Sequence, residues 1–109
     1  MTIVCCIEYK LDPFRLAEFE RYAEQWAEAI PAAGGDLIGY FMPHEGTNYR
    51  GMALIGFDSL AAYEAYRARL KTTSAGKVNF DFAMNMHFIL EESRSFLRAV
   101  PSTYKRGKA

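Results

Sequence analysis

The sequence has few residues of the types that commonly carry metal or covalent chemistry. Two cysteines, two histidines and one tryptophan occur among 109 residues. Cys5 and Cys6 are adjacent in a predicted strand, where successive side chains point to opposite faces, so a disulfide between them would need strained geometry. Neither His44 nor His87 forms a metal-ligand pair with them in sequence. We therefore expect two free thiols, no metal site and no cofactor.

Net charge is also absent. Lysine plus arginine and aspartate plus glutamate both number 13, so the chain has no global field that would attract nucleic acid or an anionic membrane. The first strand begins with hydrophobic residues, but it meets Glu8 and Lys10 too early for a signal peptide or a membrane span. These features predict a cytoplasmic protein that binds neither nucleic acid nor membrane.

The length and composition are those of one globular domain. Half of the residues are hydrophobic, and a chain of this size buries roughly two-thirds of its surface on folding. Lys105, Arg106 and Lys108 are crowded at the end of the chain. We predict a single domain over residues 1–102, followed by a basic, solvated tail over residues 103–109.

Hydrophobic periodicity predicts two main helices. Asp12 and Pro13 are typical of a helix start, and Pro31 with the pair Gly34–Gly35 predicts the end of that helix. A second helix starts at Asp58–Ser59 and ends near residues 72–73. A further short helix is predicted over residues 77–87.

Alternating apolar residues predict four strands, over residues 3–10, 36–42, 49–57 and 91–100. The second and third are joined by a polar loop of hairpin length. The resulting order βαββαβ is that of the ferredoxin-like fold, an α+β fold with an antiparallel sheet.

The predicted strands are apolar on both faces. Cys5 and Ile7 alternate with Val4 and Cys6, and the hairpin strands show the same pattern. Two helices cover only one face of a four-stranded sheet, and a solvated second face should carry polar residues. We therefore expect the same face of a second copy to cover it, in a two-fold homodimer.

Several segments resemble the NIPSNAP family, and the resemblance spans nearly the whole chain. They are the run 34–41, the loop Glu45-Gly46-x-Asn48, the entry Phe57-Asp58-Ser59-Leu60 to the second helix, and Glu92-x-Arg94-x-Phe96-Leu97-Arg98-x-x-Pro101. The resemblance implies a dimeric α/β barrel, in which two ferredoxin-like sheets enclose a central space. It implies no catalytic residues, because the family has no agreed ones.

The chain departs from the family pattern at two places. An acidic and a basic residue commonly occupy the positions of Cys5 and Ile7. An aspartate–proline pair and a tryptophan often follow the second helix, where this chain has Thr73-Ser74-Ala75-Gly76. Any pocket that uses those family residues is therefore built differently here.

Five residues are candidates for binding a ligand: Tyr40, His44, Asn48, Tyr49 and Arg94. His44 could act as an acid or base, because histidine is the usual residue for that role, but an exposed loop histidine without a role is the favoured interpretation. Asn48 matches a family position, and asparagine in a hairpin loop also bonds its own backbone. Arg94 shares a strand face with Glu92 and Arg98, where it would line a cavity or form ion pairs. No catalytic residue is predicted.

Three classes of function fit these features. The first is a homodimer that binds a small apolar or aromatic ligand in its barrel. The second is a monooxygenase of the dimeric α/β barrel type, either cofactor-independent or associated with haem. The third is a structural dimer that serves larger assembly. The first two require a buried apolar cavity with a few polar groups, and the third predicts a filled barrel.

Overall fold

A computed structural model of the protein describes residues 1–105 and shows three helices packed on one face of a four-stranded sheet. The strands are β1 (Ile3–Leu11), β2 (Asp36–Phe41), β3 (Arg50–Phe57) and β4 (Ile89–Arg98). The helices are α1 (Leu16–Ala32), α2 (Leu60–Thr72) and α3 (Ser74–Met86). Short 3₁₀ turns lie at Pro13–Arg15 and Pro101–Thr103. The predicted α+β class and element order are confirmed, with α3 as an addition to the βαββαβ frame.

The sheet has the strand order β2-β3-β1-β4, and all neighbouring strands are antiparallel. Cys5 in β1 pairs with Ile55 in β3 and with Phe96 in β4. This register places the odd-numbered residues of β1 on the helix-covered face, where Cys5, Ile7, Tyr9 and Leu11 are all buried. The ferredoxin-like arrangement is therefore confirmed.

Helix α1 starts at the predicted place but runs past Pro31. The Asp12 carboxylate accepts a hydrogen bond from the backbone N–H of Phe14 at 2.9 Å, which caps the 3₁₀ turn that leads into the helix. Pro31 lacks the N–H that would reach the carbonyl of Ala27. Ala27 is exposed, so water can take that place. The helix ends at Ala32, and Gly34, at φ +107°, provides the left-handed exit.

Helix α3 confirms the short helix predicted over residues 77–87, but it begins three residues earlier. The Thr73 hydroxyl accepts a hydrogen bond from the backbone N–H of Gly76 at 3.0 Å and so caps the helix. Its last residue is followed by His87, which adopts a left-handed conformation at φ 53°. The apolar residues from Val78 to Met86 alternate as they would in a strand, yet this segment is helical.

Strand β2 contains an irregularity that changes which side chains face the helices. Its pairing with β3 shifts register between Leu37 and Gly39, so Ile38 has no direct partner. Leu37 pairs with Ile55 and Tyr40 with Ala53, which puts both side chains on the helix-covered face. Strict alternation along the predicted strand 36–42 would put Leu37 and Phe41 on one face; that expectation is wrong, because the bulge puts Leu37 on the helix-covered face and Phe41 on the open face.

The face of the sheet that carries no helix, here called the open face, is apolar in part. Its partly buried apolar side chains are Val4, Cys6, Met52 and Leu54. Phe41 and Leu97 lie on the same face and are 48% and 60% exposed. Charged residues occupy its other end, where Arg50 donates a hydrogen bond to Glu8 at 2.9 Å. The prediction of apolar residues on both faces holds for one half of the open face.

The end of the described chain packs against the edge of the sheet. The Tyr104 hydroxyl donates a hydrogen bond to the Asp36 carboxylate at 3.1 Å. Of the cations of the predicted tail, Arg106 and Lys108 lie outside the described residues. Within residues 1–105 no helix is long and apolar enough to cross a membrane.

Candidate functional site

A cavity of about 50 Å³ lies between the helices and the covered face of the sheet. Every strand and every helix contributes at least one side chain to its wall. From α1 come Tyr22, Trp26 and Ile30, which are spaced four residues apart and so lie on one stripe of the helix. The cavity is therefore a product of the whole fold rather than of one loop.

Aromatic residues make up half of the wall. Its aromatic members are Tyr9, Tyr22, Trp26, Tyr40, Tyr63, Tyr66 and Phe80. The aliphatic and sulfur-containing members are Cys5, Ile7, Ile30, Ile55 and Leu70. Flat rings with polar tips favour a ligand that is itself flat and aromatic, because ring contacts add to the free energy gained by burial.

Two guanidinium groups stand at one end of the cavity, Arg67 from α2 and Arg94 from β4. Both donate hydrogen bonds to the Tyr63 hydroxyl oxygen, Arg67 from Nη1 at 2.7 Å and Arg94 from Nη1 at 2.8 Å. Arg94 also pairs with the Glu92 carboxylate through Nη2. Burial lowers the pKa of Arg94, but the bonds to Tyr63 and the charge of Glu92 outweigh burial, so the net pKa is raised. Arg94 therefore stays cationic.

Four tyrosines of the wall keep their protons at neutral pH. Burial raises the pKa of Tyr9, Tyr22, Tyr40 and Tyr66 above the usual value. Neighbouring phenols add to the rise at Tyr40, because Tyr9 and Tyr22 are close to it. These groups offer hydroxyl protons and lone pairs to a ligand, and they do not act as phenolate bases near pH 7.

The wall contains neither a carboxylate nor an imidazole among the residues that the structure describes. No group of three histidine, cysteine, aspartate or glutamate side chains within residues 1–105 is placed to hold a metal ion. Burial raises the pKa of the Cys5 thiol. It also raises the pKa of the Cys6 thiol, which is less buried. The expectation of two free thiols is confirmed, and both are protonated near neutral pH.

Haem does not fit this cavity. The iron needs an axial ligand such as a histidine nitrogen or a thiolate, yet both histidines are exposed and the nearest sulfur, on Cys5, remains a thiol. A volume of about 50 Å³ also holds only one or two water molecules.

One polar atom of the wall is left without a partner. The indole N–H of Trp26 is buried without an acceptor in good hydrogen-bonding geometry among residues 1–105, although it lies close enough to the Tyr22 hydroxyl to offset part of the rise that burial causes in the pKa of that phenol. Native proteins pair nearly all of their buried N–H groups with protein or water. An unmatched donor on a cavity-lining residue is a place for an acceptor atom from outside the chain.

The structure separates the five predicted ligand-binding residues into two groups. Tyr40 and Arg94 line the cavity. His44, Asn48 and Tyr49 lie in the exposed loop between β2 and β3 and contribute nothing to the wall. The cavity is also on the helix-covered face, whereas the predicted barrel space adjoins the open face.

Sequence reasoning missed Tyr9, Tyr22, Tyr66 and Arg67 as parts of the site. The three tyrosines occupy positions in the apolar patterns of their elements but carry polar tips. Polar-tipped rings at core positions, together with an arginine beside the apolar stripe of α2, were a usable signal. Cys5 and Ile7, where family members commonly carry charges, also line the cavity. Its polarity here therefore comes from tyrosines and from α2 and β4.

Solved structures of low sequence identity share this fold. A NIPSNAP family protein from Agrobacterium tumefaciens is 20% identical, with a TM-score of 0.79, over 97% of this chain and all of its own. An uncharacterised NIPSNAP-like domain protein from Burkholderia xenovorans is 22% identical, with a TM-score of 0.75, over 97% of this chain and 90% of its own. These similarities concern the fold.

A more distant neighbour carries a name that suggests an activity. The protein from Nitrosomonas europaea, described as a putative antibiotic biosynthesis monooxygenase, is 10% identical, with a TM-score of 0.69, over 90% of this chain and 98% of its own. At this identity the likeness shows the fold alone. A search of curated protein sequences gives no match.

The sequence itself carries the stronger relationship. The sequence model of the NIPSNAP family matches residues 5–103. This range includes all four strands and all three helices, apart from the first two residues of β1. The chain therefore belongs to the NIPSNAP family.

Proposed function

We propose that this protein binds a small aromatic molecule in the cavity between its sheet and its helices. The observation that carries the proposal is an aromatic wall that includes a buried, unpaired indole N–H on Trp26. An apolar cavity with a few converging polar groups is the usual form of a small-molecule site. Tyrosine hydroxyls and the two guanidinium groups supply those polar groups here.

The ligand needs more room than the empty cavity has. An apolar cavity of about 150 Å³ accepts benzene, three times the volume present here. The wall side chains Tyr63, Arg67 and Phe80 come from α2 and α3 and are all partly exposed. They form the mouth, and a ring enters when they move outward. The opening costs free energy, so affinity for a simple ring is modest.

Titration with benzyl alcohol should change the fluorescence of Trp26 in a saturable way. Trp26 is the only tryptophan in the chain, so its emission reports on the cavity without interference. Replacing Cys5, which is fully buried in the wall, with leucine adds two heavy atoms to the cavity and should abolish saturation. The matched control Cys6→Leu makes the same change on the opposite face of β1 and should bind as the natural chain does.

The titration separates the proposed function from its alternatives. Equal binding by Cys5→Leu and Cys6→Leu would place the ligand elsewhere, and no saturable change with benzyl alcohol or benzoate would refute the proposal. The second candidate is a cofactor-independent monooxygenase, which the fold neighbour from Nitrosomonas europaea suggests. It predicts that a bound quinol is consumed with uptake of dioxygen. The described wall has no carboxylate or imidazole to take the quinol proton, which favours binding without turnover.

The proposed functional unit is a homodimer that pairs two open faces. The partly buried and exposed apolar residues of this face would be covered by their own copies. Glu8, Asp36 and Glu91 lie on it with Lys10 and Arg50, so the face carries charges of both signs and the carboxylates of one copy can pair with the cations of the other. A third alternative, a purely structural dimer, shares this interface but does not require a ligand.

Light scattering at micromolar concentration should give twice the chain mass of 12.4 kDa. Leu54→Lys introduces a charge at the apolar half of the open face, and because buried charges without partners are costly, it should shift the mass to that of one chain. Leu60→Lys, on an exposed leucine at the start of α2, makes the same change away from this face. A monomeric natural chain, or a dimeric Leu54→Lys variant, would contradict the proposed interface.

A further inference from the structure

We infer that the ligand is an aromatic anion, with a ring against the tyrosines and a carboxylate or a similar planar acid group between Arg67 and Arg94. This inference rests on the proposed function and names the chemical class of ligand for the same cavity. Its basis is the charge and geometry at the end of the cavity where α2 meets β4.

The charges at this end do not balance. Arg67 and Arg94 together carry two positive charges, and Glu92 is the one carboxylate within residues 1–105 that pairs with either of them. Glu92 pairs with Arg94 alone, which leaves Arg67 without a counterion among the described residues. Because a partly buried charge is screened less than an exposed one, an excess cation here attracts an anion.

The two arginines are also preorganised for one acceptor. Both guanidinium groups donate to the same oxygen atom, the Tyr63 hydroxyl, at 2.7 and 2.8 Å. Arg67 is further fixed by its position over the Tyr63 ring, 5.8 Å from the centroid. A neutral phenol oxygen is a weaker acceptor for a guanidinium than a carboxylate oxygen, because only the carboxylate carries a negative charge that attracts the cation. A ligand carboxylate therefore competes successfully for these donors.

The rest of the wall selects for a ring behind the acid group. Along the sheet from Arg94 lie Ile7 and Tyr9 of β1, and Tyr22 and Trp26 of α1 complete the apolar part of the wall. A guanidinium fork matches a planar carboxylate in two parallel hydrogen bonds. An aromatic carboxylate satisfies both parts of the cavity, whereas a short aliphatic acid satisfies only the cationic end.

The test compares benzoate with benzyl alcohol, which carries the same ring with a neutral hydroxyl. We expect benzoate to bind about tenfold to hundredfold more tightly, the range that a hydrogen bond to a charged group supports. Arg67→Gln should bring the ratio of benzoate affinity to benzyl alcohol affinity close to one, because it removes the cation that is proposed to bind the carboxylate. Arg94→Lys keeps the positive charge but loses the paired N–H donors of the guanidinium group. Its preference for benzoate should therefore lie between that of the natural chain and that of Arg67→Gln.

Arg98→Gln is the matched control, because Arg98 lies on the same face of β4 four residues beyond Arg94 but is exposed and outside the wall. It should leave the preference intact. Benzyl alcohol bound as tightly as benzoate by the natural chain, or a full preference in Arg67→Gln, would overturn the anion inference while the proposed aromatic site stands. Binding of neither compound would refute the proposed function itself. Circular dichroism of each variant shows whether a loss of binding reflects a loss of fold.

Discussion

Replacing Phe19 with alanine should lower the free energy of unfolding by about 3–5 kcal/mol, the usual cost of removing a buried ring. Phe19 has no exposed surface. Its ring lies 5.2 Å from that of Tyr9, 6.0 Å from Tyr40 and 6.1 Å from Phe88. Loss of the ring leaves a cavity that these neighbours cannot fill without leaving their own contacts. For a small domain the cost is a large share of the total stability.

Phe14 provides the matched control for this substitution. It precedes Phe19 by five residues but is 95% exposed, and surface substitutions usually change stability by less than about 0.5 kcal/mol. Urea unfolding followed by circular dichroism gives both free energies. Equal urea midpoints for Phe14→Ala and Phe19→Ala would contradict the prediction that the buried ring of Phe19 stabilises the core.

Raising the pH above about 10 should unfold the protein steeply. Burial raises the pKa of Tyr9, Tyr22, Tyr40 and Tyr66 above the unfolded value of about 10. Between the unfolded and the folded pKa, the unfolded chain has lost protons that the folded chain still holds. The contribution of these tyrosines to stability is therefore full below pH 10 and falls as the pH rises, by up to about 1.4 kcal/mol per pH unit for each such tyrosine.

The loss of stability at high pH can be measured by following two signals in one pH titration. Tyrosine ionisation is followed by near-ultraviolet absorbance, and folding is followed by far-ultraviolet circular dichroism. We expect part of the ionisation to coincide with unfolding, and Tyr66→Phe to make the loss of stability with pH less steep. Tyr49→Phe, in the exposed loop, is the control and should leave the dependence unchanged. Complete ionisation of all seven tyrosines in a chain that is still folded would contradict the argument.

Local sequence signals were enough to predict most of the secondary structure. Ser59 caps α2 by accepting a hydrogen bond from the backbone N–H of Ala62 at 3.0 Å, and such caps depend on a few adjacent residues. The same holds for Asp12 before α1. The sequence did not predict the helical position of Pro31, because that position depends on solvent exposure. Pro31 is tolerated inside α1 since the carbonyl that it leaves unpaired belongs to Ala27, which is exposed.

The site was less predictable than the fold, because its geometry depends on contacts between distant elements. Arg94 was a candidate from its strand face, but its partner Arg67 lies 27 positions earlier on another element. They meet at Tyr63, whose side chain reaches β4 and whose ring also lies 4.8 Å from that of Phe96. Tyr40 faces the helices only because β2 contains a bulge, and a sequence pattern with period two gives the opposite face.

The bulge at Ile38 determines which aromatic side chain β2 contributes to the cavity wall. In a regular strand paired with β3, Leu37, Gly39 and Phe41 would share one face, and Tyr40 would lie on the other. Loss of the bulge at constant chain length would pair Ile38 with Leu54 and Tyr40 with Met52, which would bring the Phe41 ring to the helix-covered face and carry the tyrosine to the open face. Among chains of this fold, ligand preference can therefore change through the presence of one bulge in an edge strand, with every cavity residue of the other elements left in place.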